Sequence, residues 1–172
     1  KVSNIKLVIL DVDGVMTDGY LFYDYKGNQL KRFSVKDGLG IRYLQKAGIE
    51  IAIVSGGKED VISNRAKDLD LKYVYCGIKN KNEIVKNIQK NLNFSKEETL
   101  FLGDDLNDLT VRNLVSLLIA PKDASRGLKK KCNAILKSNG GENAIRELAE
   151  RLLKNTCFIR DISKDGFSEI SN

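Results

Sequence analysis

The sequence predicts an α/β fold, a doubly wound parallel sheet with helices on both faces, and three observations predict it. Short β-branched and leucine-rich runs recur at Ile5–Leu10, Ile49–Val54, Tyr73–Cys76, Thr99–Leu102, Leu117–Ala120 and Ala134–Leu136. Runs this short and this apolar suit strands buried on both faces. Between most of them lie segments whose apolar residues return every three or four positions, as in helices packed on one side. Several of the runs stop abruptly at aspartate, serine or glycine, and alternation of strand with helix in this way gives a parallel sheet.

Each element follows from local chemistry. Leu21–Tyr25 and Gln29–Val35 flank Lys26-Gly27-Asn28, a turn signal, and so predict a hairpin. Leu39–Ala47 predicts a helix with Gly48 as its stop. Val61, Ile62, Ala66 and Leu69 mark the apolar stripe of a second helix, and Ile84, Val85, Ile88 and Leu92 that of a third. A short helix is predicted near Leu106–Leu114, Pro121 breaks the chain after the fifth buried strand, and a last helix runs from about Glu142 to Leu153. Residues 1–154 are expected to form a single domain with a hairpin flap at about 20–35, and 155–172 a tail without clear period.

Composition narrows the chemistry. With 172 residues, 42% hydrophobic and 30% charged, the chain has the make-up of one ordinary globular domain. The longest apolar run near its start, Leu7–Leu10, is far below a bilayer span, so neither a membrane segment nor a secretory leader is expected. Three cysteines without metal-type spacing predict reduced thiols and a cytoplasmic setting. The absence of histidine removes Ser-His and Cys-His nucleophile pairs and imidazole-bound zinc together. A net charge of +6 is spread along the chain apart from Lys129–Lys131, and tryptophan is absent. That distribution suits a small anionic substrate better than nucleic acid.

Ligands of an open α/β sheet sit at the carboxyl ends of its strands. Those ends carry Asp11 and Asp13, Ser55, Gly77, and Asp104 with Asp105. Neither a Gly-x-Gly-x-x-Gly nor a Walker-type Gly-Lys-Ser/Thr sequence is present, which removes the common nucleotide fingerprints. Asp11-Val12-Asp13-Gly14 sets two carboxylates just past a strand, where Gly14 frees the chain to turn them toward one ligand. Taken in isolation, an Asp-x-Asp is better explained as a solvated acidic loop. Gly103-Asp104-Asp105-Leu106-Asn107-Asp108 gathers three carboxylates whose mutual repulsion calls for a cation. Helix capping by Asp105 or Asp108 accounts for one of the three and not for the cluster. An all-oxygen set of this kind suits Mg²⁺. Ser55, before Gly56-Gly57, and Lys81 are candidate phosphate ligands, a hydroxyl in a turn of N–H groups and a point charge.

The order Asp-x-Asp, Ser, Lys, Gly-Asp-Asp-x-x-Asp resembles the haloacid dehalogenase superfamily of phosphotransferases. A response-regulator receiver domain fits less well, because its phosphorylated aspartate ends the third strand, where this chain has Gly77. Thr17-Asp18-Gly19, the hairpin, Phe33–Ile41, the Lys58–Leu69 helix with Arg65, and Gly140–Glu147 extend the likeness. Together they resemble the 3-deoxy-D-manno-octulosonate 8-phosphate phosphatase family, which includes nononate 9-phosphate phosphatases and the C-terminal domain of animal sialic acid cytidylyltransferases.

That resemblance implies a fold without a large cap, which agrees with the roughly 44 residues between Asp11 and Ser55. It implies Asp11 as nucleophile and Asp13 as acid and then base. Mg²⁺ would be held by the Asp11 carboxylate, the Asp13 backbone carbonyl and Asp104, with Asp105 and Asp108 orienting that shell. Ser55, Gly56 and Lys81 would hold the phosphoryl group. It also implies a homotetramer that covers each site. Two departures bear on the sugar: octulosonate enzymes carry arginine where this chain has Gly57, and nononate enzymes carry glutamate there and lysine at the position of Asp68. Lys58 and Arg65 remain candidate substrate partners. The alternative to an enzyme is a non-catalytic phosphatase-like module that oligomerises an associated cytidylyltransferase.

Overall fold

The structure, a computed structural model, describes residues 4–154. In chain order the elements are β1 (Leu7–Leu10), β2 (Phe22–Tyr23), β3 (Gln29–Leu30), α1 (Val35–Lys46), β4 (Glu50–Val54), α2 (Glu59–Asp68), β5 (Tyr73–Tyr75) and α3 (Lys81–Leu92). There follow β6 (Thr99–Leu102), a 3₁₀ turn at Leu106–Val111, β7 (Leu117–Ala120), α4 (Arg126–Lys129), β8 (Ala134–Ile135) and α5 (Ala144–Leu153). Six strands form one sheet in the order β5-β4-β1-β6-β7-β8, every pair parallel, and β2 with β3 forms a separate antiparallel hairpin. The predicted doubly wound α/β architecture is present, and the described residues form no large cap.

Alternation along the central strands builds two cores. Val8 and Leu10 face Ile41 and Leu44 of α1, Ile62 of α2 and Leu148 of α5, while Leu7 and Ile9 face Val85 and Ile88 of α3. Strands covered on both faces have no polar side, which is why each reads as an unbroken apolar run. The chain winds outward from β1 through β4 to β5, then returns across the sheet to β6 on the other side of β1. The carboxyl ends of β1 and β6 therefore flank the point where the winding reverses, the place at which such sheets open a crevice for ligands.

Several expected boundaries shift for local reasons. α1 begins at Val35 rather than Leu39, because the Ser34 hydroxyl accepts the Asp37 N–H at 3.3 Å and caps the first turn. The helix expected at Leu106–Leu114 is a 3₁₀ turn ending at Val111, tightened by reciprocal capping between Asp105 and Asp108. α4, unexpected from the sequence, is a single turn capped by Ser125. α5 starts at Ala144, and its first turn donates to a side chain from another element: the buried Asp37 carboxylate accepts the Asn143 and Arg146 N–H groups at 3.1 and 2.9 Å. The hairpin ladder is much shorter than Leu21–Tyr25 with Gln29–Val35. Past Leu30 the chain leaves the ladder so that Lys31 and Arg32 can reach Asp13 and Asp18. The predicted 155–172 tail lies outside the described residues. Among the described residues no helix is long and apolar enough to cross a membrane.

Candidate active site

After β1 the chain curls around one carbonyl: the N–H groups of Val15, Met16 and Thr17 all donate to Val12 O, at 3.1, 2.8 and 3.1 Å. That coil, with Gly14 at a φ of +78°, sends the Asp11 and Asp13 side chains to different partners instead of to opposite faces of a strand. A Cβ on Gly14 would also overlap the Asp104 carboxylate, so glycine is required twice, by the turn and by the close approach.

Asp11, Asp104 and Asp108 meet at the reversal point, each offering an oxygen within 4.8 Å of the others. Lys81, the first residue of α3, enters the same cluster. Its Nζ donates to Asp11 Oδ2 at 2.6 Å and Asp108 Oδ1 at 2.7 Å. Lys81 and Asp108 are 2% and 0% exposed, so this pairing runs in a medium that screens charge weakly. The second Asp108 oxygen accepts the Asp104 and Asp105 N–H groups at 2.9 and 3.2 Å, and Asp11 Oδ1 accepts the Val12 N–H at 2.7 Å.

Burial and the neighbouring Asp108 charge push the Asp11 carboxyl up to about 6, against the pull of Lys81. Burial, then the charges of Asp11, Asp108 and Asp105, push Asp104 up to about 7. For Lys81, burial alone would lower the value, but the two carboxylates outweigh it and the net direction is upward. Fully ionised, three carboxylates against one ammonium carry an excess of two negative charges, which one divalent cation would offset. The donor set fits magnesium: it is all oxygen, and its three carboxylates bring oxygens within 4.8 Å of one another.

The other predicted residues make contacts of their own outside the three-carboxylate cluster. Ser55, 1% exposed, follows β4 directly, and its hydroxyl accepts the Gly57 N–H at 3.0 Å, with Gly56 exposed between them. Two further bonds, Gly77 N–H to Gly57 O at 2.9 Å and Ile78 N–H to Ser55 O at 3.0 Å, lock this loop to the one that leads into α3. Asp105 turns outward and caps the 3₁₀ turn through the Leu106 N–H at 2.7 Å. Asp13 points away from the acidic cluster to Lys31 of the hairpin, 2.6 and 2.8 Å from its two oxygens. Lys58 is exposed and lines a cavity of about 360 Å³ between the hairpin and α2, shared with Tyr23, Asn28, Gln29 and Lys31. Within its own chain Arg65 serves packing between helices: it donates to Ser34 O at 3.1 Å and stacks near the Phe33 ring.

Lys31 went unnoticed in the sequence, where nothing separates it from Lys26, Arg32 or Lys36. The central position of Asp108, bonded to Lys81 and to two backbone N–H groups, was legible only as one of three acidic residues.

A divalent-metal site of carboxylates at the reversal point of a doubly wound sheet, with a serine and a lysine beside it, defines a haloacid dehalogenase-like hydrolase. Two family models of that description match residues 34–111 and 77–148. The 3-deoxy-D-manno-octulosonate 8-phosphate phosphatase of Haemophilus influenzae is 37% identical over 154 residues, covering 90% of this chain and 86% of that protein. The Yersinia pestis phosphatase of the same name superposes with a TM-score of 0.87 at 35% identity, covering 89% and 83% of the two chains. The Moraxella catarrhalis enzyme, solved with a magnesium ion, a phosphate ion and a KDO molecule, gives 0.89 at 31% identity and 94% of each chain. The chain belongs to the 3-deoxy-D-manno-octulosonate 8-phosphate phosphatase family and is a phosphoric monoester hydrolase.

Proposed function

We propose that this protein removes phosphate from an eight-carbon 2-keto-3-deoxy sugar acid, 3-deoxy-D-manno-octulosonate 8-phosphate, through a phospho-aspartyl intermediate on Asp11. One observation carries the reading: Asp11, Asp104, Asp108 and Lys81 converge at the winding reversal with a charge excess suited to Mg²⁺. The identity of the relatives' substrates supports the sugar acid.

The Asp11 and Asp104 carboxylates and the Asp13 backbone carbonyl would hold the metal, with Asp105 and Asp108 fixing that shell. When bound, Mg²⁺ offsets the repulsion between an anionic nucleophile and a phosphate dianion. An Asp11 oxygen bonds to phosphorus as the bond to the sugar oxygen breaks, and Asp13 gives that oxygen a proton. Water then bonds to phosphorus, Asp13 takes its proton, and the Asp11 carboxylate leaves. Ser55, the Gly56 loop and Lys81 bind the transferring group throughout.

Gly57 and Asp68 match neither the octulosonate pattern nor the nononate one, so nine-carbon 9-phosphates are the second substrate candidates. Residues 1–154 form the catalytic domain in this reading, which acts in the cytoplasm as a homotetramer closed over its sites by the hairpins. A purely structural module gains nothing from a buried cluster of like charges, which disfavours a role as a scaffold for a cytidylyltransferase. The test is a Mg²⁺-dependent phosphate-release screen across eight- and nine-carbon keto-acid phosphates with Asp11→Asn as control. Turnover is expected to fall by at least about 10,000-fold in the variant. Turnover surviving in Asp11→Asn removes the assigned nucleophile, and indifference to Mg²⁺ removes the metal.

A further inference from the structure

The hairpin reaches into the site through one side chain. Lys31 follows β3 directly, and its side chain is only 3% exposed although the neighbouring strands are open to solvent. A lysine stem buried to this degree has lost most of its rotamer freedom, and it has done so to place one ammonium on both oxygens of Asp13, at 2.6 and 2.8 Å. Asp13 itself stays 40% exposed on its free side, where a leaving group can reach it. Arg32, the next residue, adds a second tie at the hairpin base through Asp18 at 2.8 Å and Glu142 at 3.4 Å.

The position opposite is suited to this contact. A Cβ placed on Gly57 would stand 3.0 Å from Asp13 Oδ2, 3.2 Å from the Lys31 Nζ and 3.3 Å from the Ser55 Oγ. Any side chain there crowds all three groups at once. Glycine at 57 thus leaves the space through which the hairpin lysine closes onto Asp13 beside the serine loop.

We propose that Lys31 is a positioning residue: it fixes the Asp13 carboxylate in the orientation that serves proton transfer and, by the same bond, latches the hairpin over the site. The proposal rests on the reading of Asp13 as the proton donor and acceptor of a phosphatase. It adds a residue that couples closure of the hairpin to that role. Proton delivery matters most when the departing oxygen is strongly basic. An alkyl or sugar oxygen needs it, whereas a nitrophenolate leaves without it. The latch therefore has a signature that general damage to the fold lacks.

The experiment compares wild type, Lys31→Ala, Lys31→Arg and Gly57→Ala on a series of phosphate monoesters running from p-nitrophenyl phosphate to simple alkyl phosphates, with amide exchange across Tyr20–Arg32 followed in parallel. For Lys31→Ala, kcat on alkyl phosphates is expected to drop about 10-fold or more, with a much smaller drop on p-nitrophenyl phosphate and KM within about 3-fold. Lys31→Arg should recover most of the loss, and Gly57→Ala, which removes neither partner, should reproduce it in part. Exchange in the hairpin should quicken in Lys31→Ala and in Asp13→Asn alike. Equal losses at both ends of the series, an unchanged kcat, or unaltered exchange in the hairpin overturns the proposal while leaving the phosphatase reading intact. A wild-type chain inert toward the whole series overturns both. If Lys31→Ala fails to fold, Lys31→Arg and Gly57→Ala carry the test, and wild-type behaviour in Gly57→Ala counts against the latch.

Discussion

The acidic cluster, gathered from both sides of the hairpin along the chain, and the hairpin itself sit at opposite extremes of a folded protein. At the cluster, Asp11, Lys81 and Asp108 are almost wholly buried and every oxygen or nitrogen of the set has a partner. In the hairpin Tyr20, Phe22, Tyr23, Tyr25 and Leu30 are all more than half exposed, and among the described residues β2 pairs only with β3. One region hides charge and the other displays aromatic surface, each against the usual preference. The difference teaches what each region is suited to meet: the excess negative charge of the cluster suits a cation, and the exposed aromatic strand suits another apolar surface.

The sharpest way to break the first half of that contrast is to remove the cluster's own cation. Lys81→Met keeps the stem and deletes the charge, leaving Asp11 and Asp108 buried against each other. The loss of stability should reach about 3–5 kcal/mol in metal-free protein, read from urea unfolding. Saturating Mg²⁺ should return part of it, because the ion replaces part of the missing charge. A variant as stable as wild type without metal would show that the cluster tolerates its repulsion, and the charge argument for a metal would fail.

A gentler test uses pH. Asp104, raised to about 7, and Asp11, raised to about 6, hold protons more tightly in the folded chain than in the unfolded one. Their contribution to stability is therefore fully present below the ordinary carboxylate value of 3.8 and is lost as pH rises through about 6 to 7. Metal-free protein should accordingly lose stability on this account between pH 5 and pH 8. Mg²⁺ binds the ionised form, so its stabilising effect should grow over the same interval, reaching about 2.7 kcal/mol at 100 times the dissociation constant. Thermal melts with and without Mg²⁺ at the two pH values decide it, and an equal shift at both would mean that the ion binds elsewhere.

How much of this was legible in the chain differs between the same two regions. Asp11, Ser55 and Asp104 could be found because each closely follows a strand buried on both faces, which announces its end by a change from apolar to polar, and Lys81, which opens α3, by its place in the order. Order along the chain then substituted for distance. Lys31 could not be found, since its partner Asp13 lies 18 residues away and the contact depends on the chain leaving the hairpin ladder after Leu30. Asp37 stood just before the helix expected at Leu39–Ala47, and its service to the first turn of α5 spans more than a hundred residues, a distance over which periodicity carries no information. The shortened hairpin has the same origin: alternation predicts which residues could pair, and tertiary ties decide which of them do.

The smallest effect on the isolated fold belongs to the exposed aromatic strand. Phe22 is 53% and Tyr23 60% exposed, so Phe22→Ser and Tyr23→Ser remove little packing within the chain. For such positions the stability of the monomer should stay within about 0.5 kcal/mol of wild type. If the hairpins bury one another between copies, the pair of changes should shift sedimentation from tetramer to smaller species while leaving the circular dichroism of the domain unchanged. Turnover should fall with the tetramer, because the latch between Lys31 and Asp13 would then hold down a hairpin that nothing covers from outside. A wild-type assembly after both substitutions would place the contact elsewhere. A wild-type monomer would leave the aromatic surface to the substrate, whose sugar ring could lie against Tyr23 in the cavity beside Lys58. Competition by free keto acid, measured as inhibition of aryl phosphate hydrolysis in the Tyr23→Ser variant, separates those two roles, since only a ring-stacking role weakens it.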